Sequence, residues 1–256
     1  MRRFAVTVVL VTTVAAACAS AGRAQTPVDS ARAWVTSGRA AEATPLLVAY
    51  AESLPADAAA QYWAGRAWME QGQSDRAEPW LEKATRLAPG ETEYWLWLGR
   101  SYGDQARKAS VFRKRGLALK TKAAFERAVT ADASNLAARS HLIDYHLEAP
   151  GIVGGDTREA ARQAEEIRSH DEPRGLLEVA RVNAWLERWA EAEAALAAYD
   201  AGPPATDEKA LAMGAWARGR LRERAGDRAG ARAAYEESLR HDPYYEPARE
   251  ALARVR

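Results

Sequence analysis

Residues 58–91 read AAAQYWAGRAWMEQGQSDRAEPWLEKATRLAPGE, and this stretch decides the fold. Its first half predicts a short helix, which a Gln-Gly-Gln segment interrupts. In the second half, Ala77, Leu81 and Ala84 recur at helical spacing until a Pro-Gly pair ends the second helix. Neither helix has an apolar stripe broad enough to form a core alone. Such a helical hairpin must pack against copies of itself, so the chain should contain them.

The copies exist and follow a spacing of 34 residues, counted so that Ala77 occupies place twenty of its unit. Small residues recur at places eight and twenty, where the two helices of a hairpin should cross most closely. Bulky residues recur at places four, seven, eleven and twenty-four, where they should fill the space between hairpins. The predicted units span residues 24–57, 58–91, 92–135, 136–172, 173–211 and 212–245, and residues 246–256 should form a capping helix.

The stretch Trp95-Leu96-Trp97-Leu98-Gly99-Arg100-Ser101-Tyr102 carries the most specific family signal. It resembles the tetratricopeptide repeat, in which a tryptophan, a Leu-Gly pair and a tyrosine precede the small residues of the second helix. The resemblance covers nearly all of the chain after residue 24. It implies an all-α, right-handed superhelical solenoid of about six hairpins, and a composition rich in Ala, Arg, Glu and Leu agrees.

The third unit departs from this spacing through an insertion at residues 103–120. Between Gly103 and Lys122 the chain has seven Lys and Arg residues against one acidic residue, Asp104, with apolar residues interleaved. One interpretation is a basic amphipathic surface that contacts an anionic partner or a membrane. The alternative is a pair of lengthened helices whose apolar side packs and whose charges are solvated.

The fourth unit contains a long loop at Gly151–Gly155, which is followed by Asp156 as a predicted helix N-cap. The loop lacks the Gly-Lys-Ser/Thr ending of a phosphate-binding loop, so we interpret its glycines as permitting a sharp bend. Together with the expanded third hairpin, this loop resembles exported bacterial repeat proteins. It is similar, more loosely, to the periplasmic T component associated with TRAP-type solute transporters.

The first 24 residues predict a secretory signal peptide. Two arginines precede the uncharged apolar run of residues 4–17, and small residues then precede the expected cleavage site after Ala24. Removal of this segment leaves 33 basic against 35 acidic residues, which argues against a nucleic-acid partner. The sole cysteine, Cys18, lies in a degraded lipobox. The protein is therefore predicted to be periplasmic or, alternatively, a lipoprotein attached to the membrane through Cys18.

No arrangement of residues predicts catalysis, a metal site or a cofactor. The only cysteine lies in the predicted signal, and no Gly-x-Ser-x-Gly motif is present. His141 and His146 are five residues apart, which does not place both on one helix face. We therefore expect a protein that is not an enzyme.

A recurring arginine is the strongest candidate for function. Place nine of the six units is occupied, in order, by Arg32, Arg66, Arg100, Asp144, Arg181 and Arg220. The resemblance implies that this place faces the concave groove, where five stacked arginines would bind carboxylates of a partner. Tyr62 and Trp97 would add aromatic contacts. Arginine is frequent throughout the chain, however, so these residues could simply be solvated.

These observations predict a non-enzymatic interaction scaffold of the bacterial cell envelope. A segment of another protein would dock in the groove, and the arginines at place nine favour an acidic one. The alternative is a periplasmic accessory subunit of a solute transport system that binds a receptor or a small acidic ligand.

Overall fold

The computed structural model describes residues 27–255, and the predicted signal peptide and Cys18 lie outside them. Over the described residues the fold is all-helical, a superhelical array of paired antiparallel helices, which confirms the predicted fold class. In this part of the chain, consecutive α-helices pair as six hairpins, and one further helix packs on the last helix of the sixth hairpin. The α-helices are α1 Pro27–Thr36, α2 Ala40–Ser53, α3 Ala58–Glu70, α4 Ser74–Leu87, α5 Thr92–Lys108, α6 Val111–Ala131, α7 Leu136–Glu148, α8 Thr157–His170, α9 Glu172–Trp185, α10 Trp189–Asp200, α11 Glu208–Arg224, α12 Arg228–His241 and α13 Glu246–Arg254.

Glycine at place eight allows the two helices of a hairpin to touch. A Cβ atom on Gly65 would lie 2.6 Å from Cγ of Leu81, and one on Gly99 would lie 2.5 Å from Cε1 of Phe125. Carbon atoms in contact are normally about 3.5–4.0 Å apart, so any larger residue would push the helices apart. The small residue at place eight and the bulky residue at place twenty-four therefore contact each other. The repeat pattern predicts that both are packed.

The third hairpin is the longest, with 17 residues in α5 and 21 in α6, whereas α3 and α4 have 13 and 14. The insertion therefore forms the lengthened helices of the second interpretation. Its packing is incomplete, however, because Leu117 is buried whereas Val111 and Phe112 are 83 % and 97 % exposed. The exposed apolar residues therefore also support the interpretation of the insertion as a basic amphipathic surface.

The fourth hairpin contains a short 3-10 helix at Gly151–Val153 between its two α-helices. Asp156 caps α8 as predicted, accepting a hydrogen bond from the amide of Arg158 at 2.9 Å. The side chain of Glu159, three residues after this cap, accepts hydrogen bonds from Arg162 and Gln163.

The sixth hairpin starts earlier than the repeat spacing predicts. Its first helix, α11, begins at Glu208 rather than at residue 212. The reason is a side-chain cap, because Asp207 accepts a hydrogen bond from the amide of Ala210 at 2.7 Å. This helix packs on α12 within its own hairpin, and across the boundary to the fifth hairpin it packs on α9 more than on α10.

The turn within the fifth hairpin contains a strained residue. Place fifteen is Gly38, Gly72 and Gly226 in three other units, all with positive φ, whereas Glu187 adopts φ 58° at the same place. A left-handed conformation costs a residue with a side chain roughly 1–2 kcal/mol. Within residues 27–255 the Glu187 carboxylate forms one ion pair, an exposed contact with Arg220 at 3.8 Å, which offsets little of that cost.

Glu187→Gly is therefore expected to raise the free energy of unfolding by about 1 kcal/mol. Urea denaturation followed by circular dichroism measures the change. The matched control is Gly72→Ala, which puts a side chain at the equivalent place and should destabilise the protein. Equal stability of Glu187→Gly and the parent would contradict the prediction.

Candidate functional site

The first helices of hairpins one to three carry an alternating series of arginine and tryptophan side chains. We call it the Arg–Trp ladder, and its members are Arg32, Trp63, Arg66, Trp97 and Arg100. Successive guanidinium-to-ring distances are 5.8, 5.8, 3.5 and 3.8 Å. The arginines occupy place nine and the tryptophans place six, so each tryptophan lies between arginines of two successive units. Cation–π attraction therefore links α1, α3 and α5.

Arg66 is the central cation of the ladder and is largely buried. Its side chain is only 13 % exposed, and it donates hydrogen bonds to the Tyr62 hydroxyl and to Glu70, each at 3.0 Å. Packing thus accounts for its recurrence, which the sequence alone does not reveal. Arg66 keeps neighbouring hairpins together, and most of its surface is already occupied.

Arg100 ends the ladder and differs from Arg66 because it is exposed. Within the described residues it forms no ion pair, and its guanidinium stacks on Trp97 at 3.8 Å. It lines a cavity of about 690 Å³ between the long third hairpin and α7, together with Arg107, Lys114, Phe125 and Glu148. The surrounding walls desolvate the guanidinium and lower the pKa of Arg100, which still remains a cation at neutral pH. An unpaired, stacked guanidinium at a cavity suits a carboxylate ligand.

Arg181 occupies place nine of the fifth unit, but its side chain is only 3 % exposed. It donates to the fully buried carboxylate of Glu178 at 2.7 and 2.9 Å and to Asp144 at 2.8 Å. Burial alone would lower the pKa of Arg181, and the two carboxylates more than offset this, so its pKa is raised. Its charge is therefore already compensated inside the array. In this structure the guanidinium has no surface that a partner could reach.

Arg220, the last predicted arginine, lies apart from the ladder. Its guanidinium is 5.4 Å from the ring of Trp216 and 5.5 Å from that of Trp189, and the side chain is 22 % exposed. It lines a separate open cleft of about 400 Å³ with Glu223, Arg224 and Arg254. The five predicted arginines thus do not form one continuous row, because Asp144 and Arg181 pair with each other between Arg100 and Arg220.

The two predicted aromatic residues are buried to the same extent, with Tyr62 and Trp97 each 7 % exposed. Tyr62 accepts from Arg66 and stacks on Tyr94 at 4.7 Å, and burial raises the pKa of its hydroxyl to about 12. The indole nitrogen of Trp97 donates to Glu93 at 3.1 Å. Both residues position arginines, and they offer little surface of their own.

Sequence reasoning missed Trp63 and Glu178, which are both at place six. Their position could have indicated this role, because a residue at place six lies three residues before the arginine at place nine. Side chains three residues apart are neighbours on a helix. The identity of the partner changes along the chain: Trp63 and Trp97 stack on arginine, whereas Glu178 pairs with it.

His141 faces Asp144 at the wall of the cavity. Its Nδ1 lies 3.6 Å from Asp144, and its ring stacks on Phe125 with centroids 5.1 Å apart. Burial, together with the charge of Lys209, lowers the pKa of His141 to about 4. Burial would raise the pKa of Asp144, but Arg181 and Lys209 more than offset it, so that pKa is lowered. At neutral pH the pair is a neutral imidazole beside a carboxylate.

Stability should therefore decrease in mild acid. Between roughly pH 6.5 and pH 4 the unfolded chain protonates His141 and the folded chain does not, so the free energy of unfolding falls as the pH falls. We expect a loss of about 2 kcal/mol from this residue. Urea denaturation at several pH values tests it: His141→Gln should flatten the profile, whereas His170→Gln, at an exposed position, should not. Burial also lowers the pKa of His146, so the double variant should be flatter still.

No group of three or more potential metal ligands occurs among residues 27–255. In the same part of the chain, no helix combines the length and the apolar character needed to cross a bilayer.

The comparisons with known proteins agree with this architecture. A tetratricopeptide-repeat family model matches residues 35–99. A thermophilic tetratricopeptide-repeat protein of Thermus thermophilus is 15 % identical, with 90 % of this chain and 96 % of that one aligned and a TM-score of 0.53. A tetratricopeptide-repeat protein of Parabacteroides merdae is 12 % identical, with 90 % of this chain and 82 % of that one aligned and a TM-score of 0.66. PilF of Pseudomonas aeruginosa is 15 % identical, with 89 % of this chain and 96 % of that one aligned and a TM-score of 0.58. Comparison with curated proteins finds no match.

The described chain therefore has the tetratricopeptide-repeat fold, and recognition of this repeat in the sequence is confirmed. Proteins of this class are generally non-catalytic, and the fold supports a role as a protein–protein interaction scaffold.

Proposed function

We propose that this protein is a non-enzymatic scaffold that binds an acidic segment of a partner protein in the cavity beside Arg100. The observation that carries the proposal is the state of Arg100: exposed, stacked on Trp97 and without an ion-pair partner in the described structure. A carboxylate that reaches this guanidinium can form two parallel hydrogen bonds.

The surroundings of Arg100 favour a peptide over a free small anion. The cavity of about 690 Å³ is open, and apolar residues such as Phe125 and Ala118 line it between the charged ones. Apolar walls with a few polar groups suit side chains of mixed character. The ladder fixes the guanidinium in advance, so binding loses little side-chain entropy.

The predicted secretory signal supports a cell-envelope location for this activity, with attachment through Cys18 as the alternative. The role as an accessory subunit of a solute transport system stays a second prediction. It differs because it requires a receptor or small acidic ligand as the partner.

A phage-displayed random peptide library, panned against the full chain, tests the proposal. Peptides enriched in Asp and Glu are expected, and Arg100→Gln should weaken their binding about 10- to 100-fold because it removes one charge-assisted contact. Arg86→Gln is the matched control, since Arg86 is 68 % exposed on the neighbouring helix α4. Acidic peptides that bind the Arg100 variant unchanged would place the site elsewhere.

A further inference from the structure

The outer face of α6 has a composition that neither the fold nor the cavity explains. Phe112, Gly116, Leu119 and Ala123 are all exposed, and Phe112 and Leu119 are 97 % and 46 % exposed. Their spacing of four, three and four residues places them on one stripe of the helix. This stripe lies opposite the buried residues Leu117, Thr121, Ala124, Phe125 and Ala128. Two large apolar side chains, Phe112 and Leu119, thus point into solvent about two turns apart, with the small residues Gly116 and Ala123 beside them.

Cations flank this stripe on both sides. Arg115 and Lys122 lie on one side and Arg113, Lys120 and Arg127 on the other, and α6 contains no acidic residue from Val111 through Phe125. Lys120 and Lys122 pair with glutamates, whereas Arg113 and Arg127 are exposed and form no ion pair within the described structure. The face is therefore an apolar strip with a free positive charge near each end.

We propose that this face of α6 docks on the surface of an anionic lipid bilayer. An apolar strip flanked by Lys and Arg is the pattern of helices that lie in a membrane interface, where the apolar side chains enter the acyl boundary and the cations meet lipid headgroups. The charge of the face is complementary to that of the lipid. Phe112, Leu119, Arg113 and Arg127 do not line the cavity beside Arg100, whereas Arg115 at the edge of the face does.

The shape of the face favours a bilayer over a protein partner. The exposed side chains belong to one convex helix, and Phe112 stands at the tip of the longest hairpin with almost its whole surface in solvent. A protein would need a matching pocket for such a side chain, whereas a bilayer interface accepts it directly.

A site-specific fluorescent label tests the proposal. Cys18 is the only cysteine, so Cys18→Ser combined with Phe112→Cys, or with Leu119→Cys, gives one position for an environment-sensitive dye such as NBD. Tyr244→Cys and Leu87→Cys are matched controls, because Tyr244 and Leu87 are 85 % and 41 % exposed away from α6. The full chain is mixed with vesicles of phosphatidylcholine alone or of phosphatidylcholine and phosphatidylglycerol in equal parts.

Dye emission at positions 112 and 119 is expected to increase and shift to the blue on the anionic vesicles only, with no change at positions 87 and 244. In about 1 M NaCl the Debye length is near 3 Å, so the response should largely disappear. Neutralising Arg113 and Arg127, which flank the stripe and do not line the cavity beside Arg100, to Gln should lower the partition coefficient on the order of 30-fold, and circular dichroism shows that the variant is folded.

Two outcomes would overturn the proposal. A dye at 112 and 119 that responds to neither type of vesicle would show that the face does not meet lipid, including the case in which it binds a protein. An equal response at all four positions would show adsorption through another part of the chain, such as the apolar run of residues 4–17. Peptide binding at Arg100 is measured without vesicles, so the two sites succeed or fail separately.

Discussion

Glu178→Gln should lower the free energy of unfolding by about 3–5 kcal/mol, among the largest effects expected of any single substitution here. Glu178 is fully buried and holds both the Nε and the terminal nitrogen of Arg181, and it also accepts a hydrogen bond from the Ser140 hydroxyl. The substitution keeps the shape of the side chain but leaves a buried guanidinium with Asp144 as its only carboxylate. Urea denaturation followed by circular dichroism measures the loss.

A double variant separates this charge effect from packing. Glu178→Met combined with Arg181→Leu removes both charges and should be clearly more stable than Glu178→Gln alone, because an apolar pair of similar volume can replace a buried ion pair at little cost. An exposed pair provides the control: Glu165→Gln, whose partner Arg168 is 46 % exposed, should cost less than about 1 kcal/mol. A loss of similar size for Glu178→Gln would mean that the buried ion pair contributes no more than a surface one.

Trp97→Leu is expected to cost about 3 kcal/mol, since the substitution removes most of a buried aromatic side chain that lies between Arg66 and Arg100. Trp97→Phe keeps an aromatic ring beside both guanidinium groups and should cost about 1 kcal/mol. Thermal and urea denaturation of the two variants measure the difference.

Comparing Trp97→Phe with Trp97→Leu separates the loss of cation–π attraction from the loss of side-chain volume. Similar losses for the two variants would show that only the bulk of Trp97 matters. A double-mutant cycle with Arg66→Met should give a coupling energy of about 0.5–2 kcal/mol with Trp97→Leu. Trp95→Ala is the control, because the Trp95 indole is only partly buried and lies outside the ladder.

The fold was predictable because the repeat spacing records helix contacts directly. Gly99 and Phe125 occupy places eight and twenty-four, and the structure shows these two residues in contact. The start of α11 was not predictable from the spacing, since a local cap at Asp207 sets it. Periodicity identifies the packed faces of helices, whereas capping residues set where each helix begins and ends.

The candidate site was predictable only as a set of positions. The sequence places arginine at the same point of five units, but the fate of each charge depends on the residues that neighbouring hairpins bring to it. Trp97 stacks on Arg100 and leaves its hydrogen-bonding nitrogens available, whereas Glu178 and Asp144 occupy those of Arg181. A repeat pattern does not contain that information, because it arises from contacts between units.

The Arg–Trp ladder has a consequence for how this array can lengthen during evolution. Arg32 and Arg66 each lie over a tryptophan of the next unit, and residues 58–91 contain both Trp63 and Arg66. After a tandem duplication of residues 58–91, the tryptophan of the new copy would lie beside the arginine of the preceding unit. The arginine of the new copy would lie beside the tryptophan of the following unit. The ladder is thus a modular junction, and gene duplication could insert a whole repeat without requiring any new compensating substitution.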